Sequence, residues 1–130
     1  MVDDDDADVL MIEEALEEAA PSTRLTRAAD GQAALDLLGA TSAADLPDLI
    51  LLDLNMPRMG GLETLTRLKT HDRWKSIPVV VLTTSDAGPD IDASYRQHAS
   101  AFVTKPIDLE AFEATIRRIR GFYGDVARLP

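Results

Sequence analysis

Residues 48–57 read DLILLDLNMP. Leu49 to Leu52 form an unbroken apolar run, and Asp53 follows it directly. A strand with one wet face alternates apolar and polar residues. An unbroken run instead fits a strand buried on both faces, as in a parallel sheet covered by helices on each side. Pro57 and Gly60-Gly61 close the segment, and Leu62, Leu65 and Leu68 then recur at helical spacing. The Asp53 carboxylate therefore stands where a buried strand stops.

The same alternation continues downstream. Ile77-Pro78 leads into VVVLTT, a second apolar strand that ends in the hydroxyls of Thr83 and Thr84. Asp86 to Pro89 reads as a loop and Ile91 to His98 as a short helix. Ala101, Phe102 and Val103 make a short strand, followed by Thr104-Lys105-Pro106. Asp108 can cap a last helix with Leu109, Phe112, Ile116 and Ile119 on one face, ending at Gly121. Upstream, Val9, Ile12, Leu16 and Ala19 predict a helix between Asp6 and Pro21. Thr23 to Ala28 is a short strand candidate. Asp30-Gly31 reads as a turn, Ala33 to Leu38 as a helix and Thr41 to Pro47 as a loop. His71 and His98 have no partner pattern and read as structural. Trp74 reads as a loop residue packing on the third helix. Strands alternating with helices predict an α/β fold with a parallel sheet and right-handed crossovers.

The chain has 130 residues, enough for one core without disulfides, and no cysteine. Its formal net charge of −10 argues against nonspecific nucleic-acid binding, which needs a basic face. No basic start with an apolar h-region precedes the first helix, and no apolar run approaches a membrane span. The expectation is a soluble, cytoplasmic protein with no membrane and no nucleic-acid partner.

In open α/β sheets functional groups gather at the carboxyl ends of the strands. Here those ends carry Asp3 and Asp4, then Asp53, then Thr83 and Thr84, then Lys105-Pro106. Three carboxylates at one edge repel, and a divalent cation relieves that. Oxygen ligands without cysteine suit Mg²⁺ retaining some of its waters. A cation, a lysine and a hydroxyl around one carboxylate make a phosphoryl-transfer site, with the carboxylate as nucleophile. Each group also has a plainer reading: an acidic run as a solvated helix cap, Asp53 as a turn residue, the threonines as β-branched strand residues, Phe102 as core.

VDDDDADV, LILLDLNMPRMGG, VVVLTTSD and AFVTKPID, in that order, resemble the receiver domain of two-component response regulators, of the chemotaxis-type single-domain kind. The resemblance implies a flavodoxin-like, doubly wound, five-stranded parallel sheet of order 2-1-3-4-5 with five helices. It implies that Asp53 accepts a phosphoryl group from a sensor histidine kinase and later loses it by Mg²⁺-assisted water attack. Asp4 would hold Mg²⁺ directly, Asp3 through water, and the Asn55 backbone carbonyl would be another ligand. Thr83 would be the switch hydroxyl, Lys105 would contact a phosphoryl oxygen, and a cis bond to Pro106 would aim it. Phe102 occupies the place of the switch aromatic, while Thr84 and Pro106 would wall the pocket. Asp5 and Asp6 are left as loop and cap residues. One rival, a haloacid-dehalogenase-type phosphatase, resembles D-x-D with a second aspartate where this chain has Asn55. The other is a pseudo-receiver that only binds partners.

Two features stand apart. Only Met1 and Val2 precede the acids, so the first strand is truncated, and the expectation is that residues upstream of Met1 or another segment complete it. After a receiver over residues 1–120, an extension over 121–130 reads GFYGDVARLP. It resembles the tail of small regulators that serve phytochrome-type histidine kinases. Phe122, Tyr123, Val126 and Leu129 are too apolar for a solvated end and are expected to bury against a second copy, together with the last helix. No output domain follows in this sequence, so output is expected through partner docking or by draining phosphate.

Overall fold

Parity sorts the apolar strands between two cores. The computed structural model describes residues 1–19, 24–54, 56, 59–83, 88–105 and 109–121, without the side chains of 18, 19, 83, 89, 90, 109, 120 and 121. In it β1 (Ile50–Leu52) pairs with β2 (Val79–Thr83), and β2 with β3 (Ala101–Thr104), both in parallel. Leu51, Val80 and Leu82 face one side and pack with Ile12, Ala15, Leu16, Phe112 and Ile116. Ile50, Leu52, Val79 and Val81 face the other and pack with Ala34, Leu35, Leu38, Leu65 and Leu68. Successive strand residues point to opposite faces, so an unbroken apolar run supplies both cores at once. Each fully buried aliphatic contributes about 1.5–3 kcal/mol.

The helices follow this division. α1 (Asp6–Ala19) packs on α5 (Leu109–Gly121) over the first face. α2 (Gly31–Gly39) and α3 (Gly61–Thr70) cover the second, and α4 (Gly88–Arg96) packs on α3 and β3. Of the face predicted for α5, Phe112 and Ile116 are inside and Ile119 is half-buried, while the Leu109 side chain lies outside what is described. Trp74 lies buried in the turn after α3, its ring stacked on His71 at 3.6 Å.

Several expected boundaries move. The Thr23–Ala28 strand is absent along residues 24–27 and survives as a single bridge at Ala28. Its partner explains this: Val2 bridges Ala28 on one side and Leu52 on the other, and a strand can pair only as far as its neighbour reaches. The Asp30-Gly31 turn is the start of α2, with the Asp30 carboxylate accepting from Ala33 N at 2.8 Å as its N-cap. Within the expected Thr41–Pro47 loop, Ala43–Asp45 form a 3₁₀ turn.

α4 begins at Gly88, inside the expected Asp86–Pro89 loop, because Pro89 is tolerated in a first turn where its missing N–H has no partner to lose. It ends at Arg96, before His98. His98 takes a left-handed φ of 69°, with His98 N bonded to Tyr95 O and Ala99 N to Ser94 O, each at 3.0 Å. Those paired bonds form a Schellman motif.

Gly61 opens α3 directly beneath the end of β1. Its N–H donates to Leu54 O at 3.0 Å, and a Cβ there would overlap the Asp53 carbonyl oxygen and Leu54 Cα. Neither neighbour is a flexible side chain, so the backbone carrying Asp53 would have to move. Gly61→Ala should therefore destabilise the chain by about 2–3 kcal/mol in urea unfolding, whereas Gly39→Ala, with open space around it, should not.

Candidate functional site

Backbone register brings the acids together. Val2 N donates to Leu51 O at 2.8 Å, and Asp53 N donates to Val2 O at 2.9 Å. Val2 is thereby level with Leu52 in a parallel pairing, and Asp3 level with Asp53. Val2 and Leu52 face the α2–α3 core. By alternation the next residue on each segment, Asp3 and Asp53, turns toward the α1–α5 side. Val103 faces that same side, so Lys105, two residues on, is aimed there as well.

The side chains meet as this predicts. Lys105 Nζ lies 2.7 Å from Asp3 Oδ2, 2.6 Å from Asp8 Oδ2 and 3.6 Å from Asp53 Oδ2. Asp3, Asp53 and Lys105 are all buried, with exposures of 1%, 7% and 7%. Asp3 is committed at both oxygens, since its Oδ1 accepts from Asp5 N at 2.9 Å. Asp4 is exposed at the rim.

Charge and burial compete here. Burial pushes the Asp3 pKa up, and the Asp53 charge adds to this; hydrogen bonds from Lys105 and Asp5 N and the Lys105 charge recover only part. Burial alone would lower Lys105, but its hydrogen bonds to Asp3 and Asp8 and the charges of Asp3 and Asp53 outweigh it, so its pKa is raised. The two directions are compatible. Lys105 answers to several carboxylates, whereas Asp3 shares one ammonium with its rivals.

The rest of the acidic run is structural. Asp5 is the N-cap of α1: its Oδ1 accepts from Ala7 N at 2.9 Å and Asp8 N at 3.3 Å. Asp6 is exposed and pairs with Arg27 Nη1 at 2.5 Å, while Arg27 Nε donates to Asp3 O at 3.1 Å. Asp8 was absent from the expected site. It lies in the first turn of α1, three residues past the Asp5 cap, and no spacing in the sequence marks it as part of the site.

Of the expected site residues, Asp3, Asp4, Asp53 and Lys105 converge. Thr83 ends β2 opposite Thr104, and its side chain is not described. Phe102 is half-buried against the α2–α3 core, and its N–H donates to Tyr95 Oη at 3.2 Å. Asn55, Thr84, Pro106, Asp108, Phe122, Tyr123, Val126 and Leu129 lie outside the described residues.

Asp3, Asp4 and Asp53 each offer a carboxylate oxygen, all within 4.8 Å of one another. Such a hard-oxygen set, with one member exposed, fits a small divalent cation that keeps part of its water shell. Among the described residues no helix is long and apolar enough to cross a membrane.

Comparison with known proteins gives a consistent picture. The model of the response regulator receiver domain matches residues 1–117. Response regulator Rcp1 of Synechocystis sp. (strain ATCC 27184 / PCC 6803 / Kazusa) is 36% identical over 133 residues, covering 100% of this chain and 90% of Rcp1. The crystal structure of the phosphorylated cyanobacterial phytochrome response regulator RcpA superposes with a TM-score of 0.93 at 37% identity, over 99% of this chain and 94% of RcpA. The Mn²⁺-bound form of Rcp1 gives 0.90 at 36% identity, over 99% and 95%. The fold is the flavodoxin-like receiver fold, with five helices around a parallel sheet.

A divalent cation should stabilise the chain in proportion to its occupancy. At about 10 mM Mg²⁺ and a dissociation constant of about 0.2–1 mM, the gain is about 1.4–2.3 kcal/mol, absent in Asp53→Asn. The folded chain holds the Asp3 proton more tightly than the unfolded chain does. Without cation, stability therefore falls as pH rises from the ordinary carboxylate value through the raised folded value of Asp3. The Mg²⁺ increment, read from thermal unfolding, should shrink as pH is lowered from about 7.5 to about 4.5, because protons compete for the same oxygens.

Proposed function

We propose that this chain, which belongs to the response regulator receiver family, accepts a phosphoryl group on Asp53 from a sensor histidine kinase and signals through altered partner binding. The observation that carries this reading is the convergence of Asp3, Asp4, Asp53 and Lys105 at one sheet edge. A carboxylate oxygen of Asp53 attacks phosphorus as the N–P bond to the kinase histidine breaks. The imidazole leaves with the bonding pair and takes up a proton, and Asp53 becomes an acyl phosphate. Lys105, a fixed charge 3.6 Å from Asp53, would engage a phosphoryl oxygen. We assign Asp4 and Asp53 to hold a cation directly, with Asp3, whose two oxygens already accept hydrogen bonds, reaching it through water. Mg²⁺ is the cation proposed, and when bound it would neutralise the charge that develops on the transferring group. Water attack on the acyl phosphate would later reset the site. We assign Asn55 as a carbonyl ligand, Thr83 and Phe102 as switch residues, and Thr84 and Pro106 as pocket walls.

Three finer points belong to the same proposal. The bridges at Val2 and Ala28 are taken as the remnants of strands one and two in a sheet of order 2-1-3-4-5. The likeness to RcpA, a phytochrome response regulator, supports a phytochrome-type kinase as partner. The apolar tail, residues 122–130, is proposed to pair with a second copy through α5.

Purified protein incubated with acetyl phosphate and Mg²⁺ should take up one phosphoryl group per chain. Uptake should vanish in Asp53→Asn and without divalent cation; undiminished labelling of Asp53→Asn would end the assignment. For assembly, the full chain should sediment as a dimer at about 50 µM and a chain stopped at Gly121 as a monomer, since burying four apolar side chains per copy contributes about 1.5–3 kcal/mol each before association costs. Two monomers would exclude the tail as the contact.

A further inference from the structure

The shortest contacts of Lys105 are not with the proposed acceptor. Its ammonium sits 2.6 Å from Asp8 and 2.7 Å from Asp3, and 3.6 Å from Asp53. An ammonium has three N–H donors, and two are committed to Asp3 and Asp8. The two anchors differ. The Asp3 side chain is 1% exposed and bonded at both oxygens, so releasing Lys105 would strand a buried charge. The Asp8 side chain is 18% exposed and lies in the first turn of α1, where water and the helix dipole can stabilise a carboxylate that has lost its partner. Its backbone N–H is held by the Asp5 cap, so the main chain that carries the carboxylate stays beside the site. The four-carbon lysine stem allows the ammonium to shift the remaining distance.

We propose that Asp8 is a positioning residue: it holds the Lys105 ammonium back from Asp53 in the resting chain and competes with a phosphoryl group for it. Lys105 exchanges its Asp8 bond for a phosphoryl oxygen while keeping Asp3. Asp8 thus lowers the affinity of the acceptor site for a phosphoryl group and sets how readily the switch is thrown. This rests on the receiver reading above.

The test compares wild type, Asp8→Asn and Asp6→Asn. Asp6 carries the same charge in the same helical turn but pairs with Arg27 and not with Lys105, so it reports the loss of a nearby charge and of a loop contact without the loss of the lysine's partner. Beryllofluoride with Mg²⁺ serves as the phosphoryl mimic, titrated by amide chemical shifts. Asp8→Asn should bind it about three- to tenfold more tightly, and Asp6→Asn within about twofold of wild type. Without any metal, the Lys105 ammonium protons should exchange slowly in wild type and Asp6→Asn and at least about fivefold faster in Asp8→Asn. Unchanged binding or exchange in Asp8→Asn, or equal shifts in both variants, overturns the role of Asp8 while leaving the receiver reading intact. Wild type that fails to bind beryllofluoride overturns both.

Discussion

The Lys105 ammonium, 2.7 Å from Asp3 and 2.6 Å from Asp8, ties the first residues of the chain to the end of its last strand. Lys105, Asp3 and the neighbouring Asp53 are buried, and none of the three is tolerable alone in its setting. A buried ammonium without carboxylates would lose its proton, and Asp3 and Asp53 without a cation would repel across the sheet edge. Removing one partner of such a buried pair typically costs about 3–5 kcal/mol, a large share of an ordinary domain's stability. The constraint reaches outward. The Val2–Leu52 register must hold to keep Asp3 level with Asp53, Gly61 must stay small to seat the Asp53 backbone, and β3 must keep its register on β2 to aim Lys105.

The segment at Val2 keeps that register with both of its edges zipped. Ala28 N donates to Met1 O and Asp3 N to Ala28 O on one side; Val2 N donates to Leu51 O and Asp53 N to Val2 O on the other. Arg27 adds a strap from the edge, reaching the Asp3 carbonyl with Nε and the Asp6 carboxylate with Nη1. The acidic loop is therefore held by backbone geometry, by a cap at Asp5 and by Arg27, in addition to its bond with Lys105. Repulsion that would open a loosely held loop is instead kept in place, which leaves the carboxylates poised for a cation.

Much of this was legible in the sequence because periodicity is local. The unbroken run Leu49–Leu52 announced a strand covered on both faces, and the Val9–Ile12–Leu16 stripe announced α1. Asp53 and Lys105 could be placed because strand ends in a parallel sheet share an edge. The Thr23–Ala28 strand was misjudged because pairing depends on the segment met across the sheet, here a single bridge to Val2, a non-local fact. The end of α4 was misjudged because a Schellman motif with histidine at the left-handed position leaves no glycine to mark it. Asp8 was missed for a different reason. An acid in a first helical turn has an ordinary explanation in the helix dipole, and only the geometry reveals that its carboxylate reaches a lysine from the far end of the chain.

The most direct test of the central claim is anomalous diffraction from crystals grown with Mn²⁺. One Mn²⁺ should appear within coordination distance of the Asp4 and Asp53 carboxylates, with Lys105 still bonded to Asp3. An ion bound elsewhere with this cluster empty, or Lys105 turned out to solvent, would contradict the account.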